Sequence, residues 1–161
     1  MDSLDLKLIC STDNELAGQF KGVYAYDNLP SKISGFPSAY ICNTDLKSGP
    51  GIHWVAIHFD SDGKCSYFDS YGMKPAGRLK KFTLTNSNGP VIFNTKWLQS
   101  PTSINCGLYA VYFLYHAARG VTLEVIVGWP FEEFAWGCND SVITDWGRAL
   151  INGSPDGRQF S

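Results

Sequence analysis

Apolar and polar positions change rhythm several times along the chain, and each change marks an element. From Gly51 to Phe59, "GIHWVAIHF" alternates and is rich in β-branched and aromatic residues, the pattern of a strand. "DSDG" (60–63) is turn chemistry and "KCSYFDS" (64–70) reads as the returning strand, so 52–69 forms a hairpin. "SAYICNT" and "PVIFN" (90–94) predict two more strands. From Cys106 to Arg119 the chain is almost wholly apolar, with Leu108, Tyr109, Val111, Tyr112, Phe113 and Leu114 on all sides. A helix of that kind belongs in the middle of a domain, and Arg119-Gly120 ends it. Val142, Ile143, Trp146, Ala149 and Leu150 predict a last helix, capped at Asp140 or Ser141 and stopped at Gly153. Near the start, Thr12-Asp13-Asn14-Glu15 reads as a capping box opening a short helix with Leu16 and Phe20 on its apolar side. Residues 21–38 read as ordered loop, and the stretch after Ser70 as a Gly/Pro/Lys connection. The expected fold is one α+β domain over 1–161, a central helix on a small antiparallel sheet, with a loose tail from about 154.

Composition narrows this picture. At 161 residues, 44% hydrophobic and 17% charged, the chain is long enough for one domain with a sizeable core. Thirteen basic against fifteen acidic residues give a formal charge of -2, with no basic run, so nothing points to a nucleic-acid partner. No apolar run reaches membrane-spanning length, and "MDSLDLKLIC" lacks a secretory signal, so no membrane partner and no secretion are expected. Five cysteines at positions 10, 42, 65, 106 and 138 match no zinc spacing and no disulfide framework; no metal or cofactor is expected. Four of the thiols read as small buried hydrophobes. The sequons at Asn139 and Asn152 carry no meaning without a secretory signal.

Cys106 is the one cysteine at a helix start, with Ser103 or Asn105 as N-cap candidate. First-turn N–H groups favour thiolate over thiol, and beside a histidine a thiol pKa near 8.5 can fall to about 3.5–7.5. Read locally, Cys106 fits a structural cysteine equally well. A nucleophile needs a base. His116 lies ten residues along the same helix, about 15 Å up its axis, and cannot reach. His53 and His58 point to opposite faces of one strand, so one of them can face the helix. The pattern favours His53 at a sheet end, with His58 exposed at the turn. Closing the hairpin at 60–63 makes the strand ends meet, so the residue opposite His53 lies close to Asp69, where a carboxylate can orient the imidazole. In the loop before the helix, the Gln99 amide can join the Cys106 N–H as an oxyanion donor, though alone it reads as a polar loop residue. Gly107 lets a substrate approach the backbone.

Taken together, "GIHWVAIHF", "YFDSYG" and "LQSPTSINCGLYAVYFLY" resemble the adenovirus-type maturation proteases (the adenain type) and, more distantly, the SUMO proteases. The resembling features are His53-Trp54, Asp69 before Tyr71-Gly72, Gln99, and Cys106-Gly107 seven residues on. What the resemblance implies is a papain-like cysteine protease variant with permuted His-Asp-Cys order. It implies an endopeptidase cutting viral precursor proteins after small residues, Gly-Gly or Gly-X, through a thioester. His53, Asp69, Cys106 and Gln99 would be catalytic; Gly51, Trp54, Asn105 and Gly107 form the expected substrate-binding set. In the family an activating peptide is linked through a cysteine upstream of the glutamine. Asn88 stands there in this chain, so such a peptide would bind without a covalent link, and the acidic balance argues against DNA as activator. A monomer acting in the host nucleus or cytoplasm and in the virion is implied. A SUMO-type deconjugase, an acetyltransferase and an inactive binding module share the same residues as alternatives.

Overall fold

The computed structural model describes residues 1–45 and 53–153; Gly51 and the tail from about 154 lie outside the described residues. The chain opens with α1 (Ser3–Thr12) and α2 (Asn14–Ala17), followed by β1 (Phe20–Tyr24), β2 (Ser38–Asn43), β3 (Trp54–Phe59) and β4 (Cys65–Phe68). Then come α3 (Gly77–Asn86), β5 (Ile92–Phe93), α4 (Cys106–Ala117), α5 (Leu123–Ile126) and α6 (Trp136–Ile151). The five strands form one sheet in sequence order.

The predicted hairpin is present: β3 and β4 pair antiparallel, with Ala56 opposite Phe68 and Phe59 opposite Cys65. Asp60 closes it by accepting the N–H groups of Asp62 (2.9 Å) and Lys64 (3.0 Å), while Gly63 turns at φ +80°. The sheet is mixed rather than antiparallel. β1 runs parallel to β2, and β5 parallel to β4. Both connections contain helix or long loop, which a parallel pairing requires.

β1 falls where the sequence reads as loop. It is a half-buried edge strand whose register shifts between Phe20 and Gly22, so the two-residue alternation is broken. In α1 the leucines at 4, 6 and 8 alternate like a strand, yet only Leu6 and Cys10 are buried, one helical turn apart. Its start is a capping box: Asp2 accepts the Asp5 N–H (2.9 Å) and Asp5 accepts the Asp2 N–H (3.1 Å). α2 starts one position later than a Thr12 cap would place it, because Asp13 takes the Leu16 N–H at 3.0 Å. α3 buries only Leu79, Phe82 and Thr83, too thin a stripe to read among its lysines and threonines. α6 begins at Trp136, a turn before the expected cap.

β2 is buried along its whole length and splits the core in two. The larger cluster lies between one sheet face, through Ala39, Ile41, Ala56 and Phe68, and α4 with α1, α5 and α6 around it. The smaller one, Tyr40, Cys42, Val55, Ile57, Phe59 and Tyr67, is covered by Leu79 and Phe82 of α3. Each large buried side chain contributes about 1.5–3 kcal/mol relative to exposure. α4 is the predicted central helix: nine of its twelve residues are buried. Phe68 stacks on Phe113 at 5.2 Å and 12°, which fixes the end of β4 against α4. Two positions differ from the sequence reading. His58 is buried, not exposed, bonded through Nε2 to Gln19 (2.8 Å), whose amide donates to the Ala118 carbonyl (2.9 Å). Burial outweighs the charge of nearby Asp60 and pushes its pKa down to about 4, so it is a neutral core histidine. Cys138 is exposed, because the first turn of α6 turns it to solvent.

Candidate active site

Four sequence-predicted residues converge where the end of the hairpin meets the start of α4. His53, immediately before β3, binds Asp69 just beyond β4 through Nε2···Oδ1 at 2.7 Å, both groups buried. Extending the register from Ala56 and Phe68 puts Tyr71 across from His53, and Tyr71 stacks on the imidazole at 4.4 Å and 14°. Asp69 reaches His53 as a diagonal neighbour. With Nε2 taken by the carboxylate, Nδ1 is the nitrogen left for the Cys106 sulfur, with which His53 shares a hydrogen bond.

Electrostatics follow from these contacts. Burial opposes charge on His53, but hydrogen bonds to Asp69 and Cys106, together with their charges, outweigh it and raise its pKa to about 9. Burial likewise raises the Cys106 thiol. The His53 hydrogen bond, the Trp54 N–H, the imidazolium charge and the Gly107 N–H outweigh that and hold it below the ordinary thiol value. Both shifts favour thiolate paired with imidazolium. Burial alone pushes Cys10 and Cys65 up to about 12 and raises Cys42 further, so they stay as thiols.

The helix start is built to leave its N–H groups free. Asn105 holds the N-cap position but makes no side-chain cap bond. Its amide turns toward Thr144 on α6 (3.5 Å), and its own N–H donates to Ser103 Oγ (3.1 Å). A capping side chain would compete for the first-turn N–H groups that here serve the sulfur. Gly107 is buried differently from its expected role. A Cβ there would meet Leu6 (3.2 Å) and Met1 (3.3 Å), so the close approach is made by the chain itself. The half-buried Trp54 indole donates to the Met1 carbonyl (3.2 Å) and lies against the larger core cluster.

Gln99 is fully buried. Its Nε2 donates to the Ser103 carbonyl (2.9 Å), and its Oε1 accepts from Ser70 Oγ (2.5 Å). Among the described residues only one of its two amide protons is used. The loop carrying it is pinned twice: the Ser70 carbonyl accepts from Leu98 (2.8 Å) and Gln99 (3.1 Å), and the Leu98 carbonyl accepts from Asn139 (3.0 Å). Asn139, a sequon residue by sequence, is thus buried and bonded. Asn94 also escaped the sequence reading. Its amide clamps the Asp69 backbone, accepting the N–H (3.0 Å) and donating to the C=O (2.7 Å). Neither role could be read from the sequence, because the partners are backbone groups distant along the chain. Gly72 completes the turn at φ +72°, where a Cβ would stand 2.6 Å from the Thr95 carbonyl.

Asp69 accepts a second bond from the Tyr71 N–H (2.8 Å), which aims Oδ1 at His53. Replacing Asp69 with Asn keeps the shape but removes the charge that supports the imidazolium. A loss of about 10²–10⁴ in kcat/KM is expected, less than for removal of the sulfur. Steady-state kinetics of the two variants side by side check this ordering.

Among the described residues no group of three or more His, Cys, Asp or Glu can hold a metal, and no helix is long and apolar enough to cross a membrane. The chain also resembles known proteins. The cysteine protease S273R of African swine fever virus is 33% identical over 87 residues, 46% of this chain and 31% of that protein. A protease of bovine adenovirus C serotype 10 is 27% identical over 111 residues, 56% of this chain and 57% of that protein. The chain thus spans less than two thirds of either relative. The crystal structure of the African swine fever virus pS273R protease superposes with a TM-score of 0.52 over 75% of this chain and 60% of that one, at 16% identity, a likeness of fold. The family model described as adenovirus endoprotease matches residues 20–145, which include all four converging residues, and the chain belongs to that family.

Proposed function

We propose that the chain is a cysteine endopeptidase of viral precursor proteins, cutting after small residues. The observation that carries this reading is the buried His53–Asp69 pair at 2.7 Å, with the other imidazole nitrogen on the Cys106 sulfur. The thiolate attacks the scissile carbonyl carbon, forming the C–S bond and moving an electron pair onto oxygen. The Cys106 N–H and the second Gln99 amide proton receive that oxyanion. As the C–N bond breaks, His53 gives its Nδ1 proton to the departing amine, leaving a thioester. His53 then takes a proton from water, whose oxygen attacks the thioester; collapse returns the thiolate and the acid product. Asp69 holds the ring and its charge throughout. Activation by a peptide would be non-covalent, since Asn88 offers no thiol.

Incubation of the purified chain with peptides bearing Gly-Gly-X and Gly-X sites, with SUMO precursors, and with proteins encoded beside it tests the reading. Mass spectrometry of new termini should find cuts after Gly in the peptides and neighbouring proteins. Cuts without preference for small residues, or cleavage of SUMO precursors alone, would overturn the substrate assignment in favour of another protease specificity.

A further inference from the structure

Resting on the endopeptidase reading, we propose that Ser70 is a positioning residue that sets the oxyanion donor Gln99. The orientation of the Gln99 amide is fixed by chemistry. The Ser103 carbonyl can only accept, so the NH₂ end must face it (2.9 Å), and Oε1 must face Ser70. Ser70 Oγ–H then donates to Oε1 at 2.5 Å, both residues being buried. With the oxygen anchored at one end and one N–H at the other, rotation of the amide about its last bond is blocked. The second N–H is held in a single direction. Donation to Oε1 also withdraws electron density from the amide nitrogen and strengthens its remaining N–H as a donor.

The same residue fixes the loop from its backbone, because the Ser70 carbonyl accepts from both Leu98 and Gln99. Ser70 directly follows Asp69, which binds His53. One dipeptide therefore orients the base through the Asp69 carboxylate and the oxyanion donor through the Ser70 hydroxyl. Substitution of the side chain leaves the backbone carbonyl in place, so the hydroxyl's role can be isolated.

The test is a double-variant cycle of Ser70→Ala, Gln99→Ala and both together, with Ser70→Thr as the conservative variant. Gln99→Ala should lower kcat about 10²-fold. Ser70→Ala should lower kcat about tenfold with KM changed less than twofold, and Thr should restore most of it. Added to Gln99→Ala, Ser70→Ala should cost nothing further, because its target is gone. Losses that multiply, or a change in KM alone, would overturn the proposal, since a merely structural hydroxyl acts regardless of residue 99. The rate of Cys106 alkylation by iodoacetamide, which needs no oxyanion donor, should be unchanged in Ser70→Ala and reports that the site is folded. In parallel, the Gln99 side-chain ¹H–¹⁵N signals should lie away from free-amide positions in the wild type and move toward them in Ser70→Ala. Failure of the wild type to cleave any peptide would count against the endopeptidase reading, while these spectra would still decide the clamp; unchanged spectra in Ser70→Ala would refute it.

Discussion

Cys106→Ala abolishes peptide cleavage while leaving the fold intact. The sulfur is half-buried at the first position of α4 and contributes little to the larger core cluster, which is built from Tyr109, Val111, Phe113 and their neighbours. Its loss should cost about 1 kcal/mol or less in stability. The chemical loss is of another order. No other cysteine can substitute: Cys10, Cys42 and Cys65 are buried and held as thiols, and Cys138 lies on α6 outside the His53–Asp69 pair. Turnover should fall by about 10⁵–10⁶-fold, the scale seen when a nucleophile is removed. A thermal melt beside the cleavage assay separates the two effects. Retained cleavage would remove Cys106 from the mechanism.

His53→Ala gives the second large effect, and it acts on two properties. Cys106 loses the hydrogen bond and the charge of His53 and keeps only the Trp54 and Gly107 N–H groups against its burial, so its pKa rises from the lowered value. The general base also disappears, and cleavage should fall about 10⁴–10⁶-fold. Unlike Cys106→Ala, this change leaves the buried Asp69 carboxylate with the Tyr71 N–H but without its imidazole. Stability should drop by about 1–3 kcal/mol, the cost of an under-bonded buried group. Loss of activity with no loss of stability would mean that Asp69 finds another partner.

Much of the site was legible because its residues sit at element boundaries that sequence patterns mark. The switch from polar loop to apolar run locates Cys106, and the alternation of 51–59 against 64–70 places His53 near Asp69. The sequence suggests that the hairpin ends meet, but only the pairing of Ala56 with Phe68 shows that Tyr71 faces His53. Backbone clamps were not legible at all: Asn94 on Asp69 and Asn139 on Leu98 bond across 25 and 41 residues. At Gly107 the packing of Met1 and Leu6 against the Cβ position was likewise not legible. In the fold, β1 was hidden by its bulge at Gly22 and α3 by its thin apolar stripe, whereas α4 was plain because it is apolar on every side.

The central claim is that Cys106 and His53 form a thiolate–imidazolium pair across neutral pH. The pH dependence of Cys106 alkylation by iodoacetamide, followed by mass spectrometry of the labelled peptide, tests it most directly. With the Cys106 pKa lowered and that of His53 raised to about 9, labelling should already be fast at pH 6 and confined to Cys106, and cleavage should decline only as pH passes about 9 and the imidazolium is lost. In His53→Ala the fast labelling at pH 6 should vanish. A wild-type profile in which Cys106 is labelled no faster at pH 6 than the exposed Cys138 would contradict the pair.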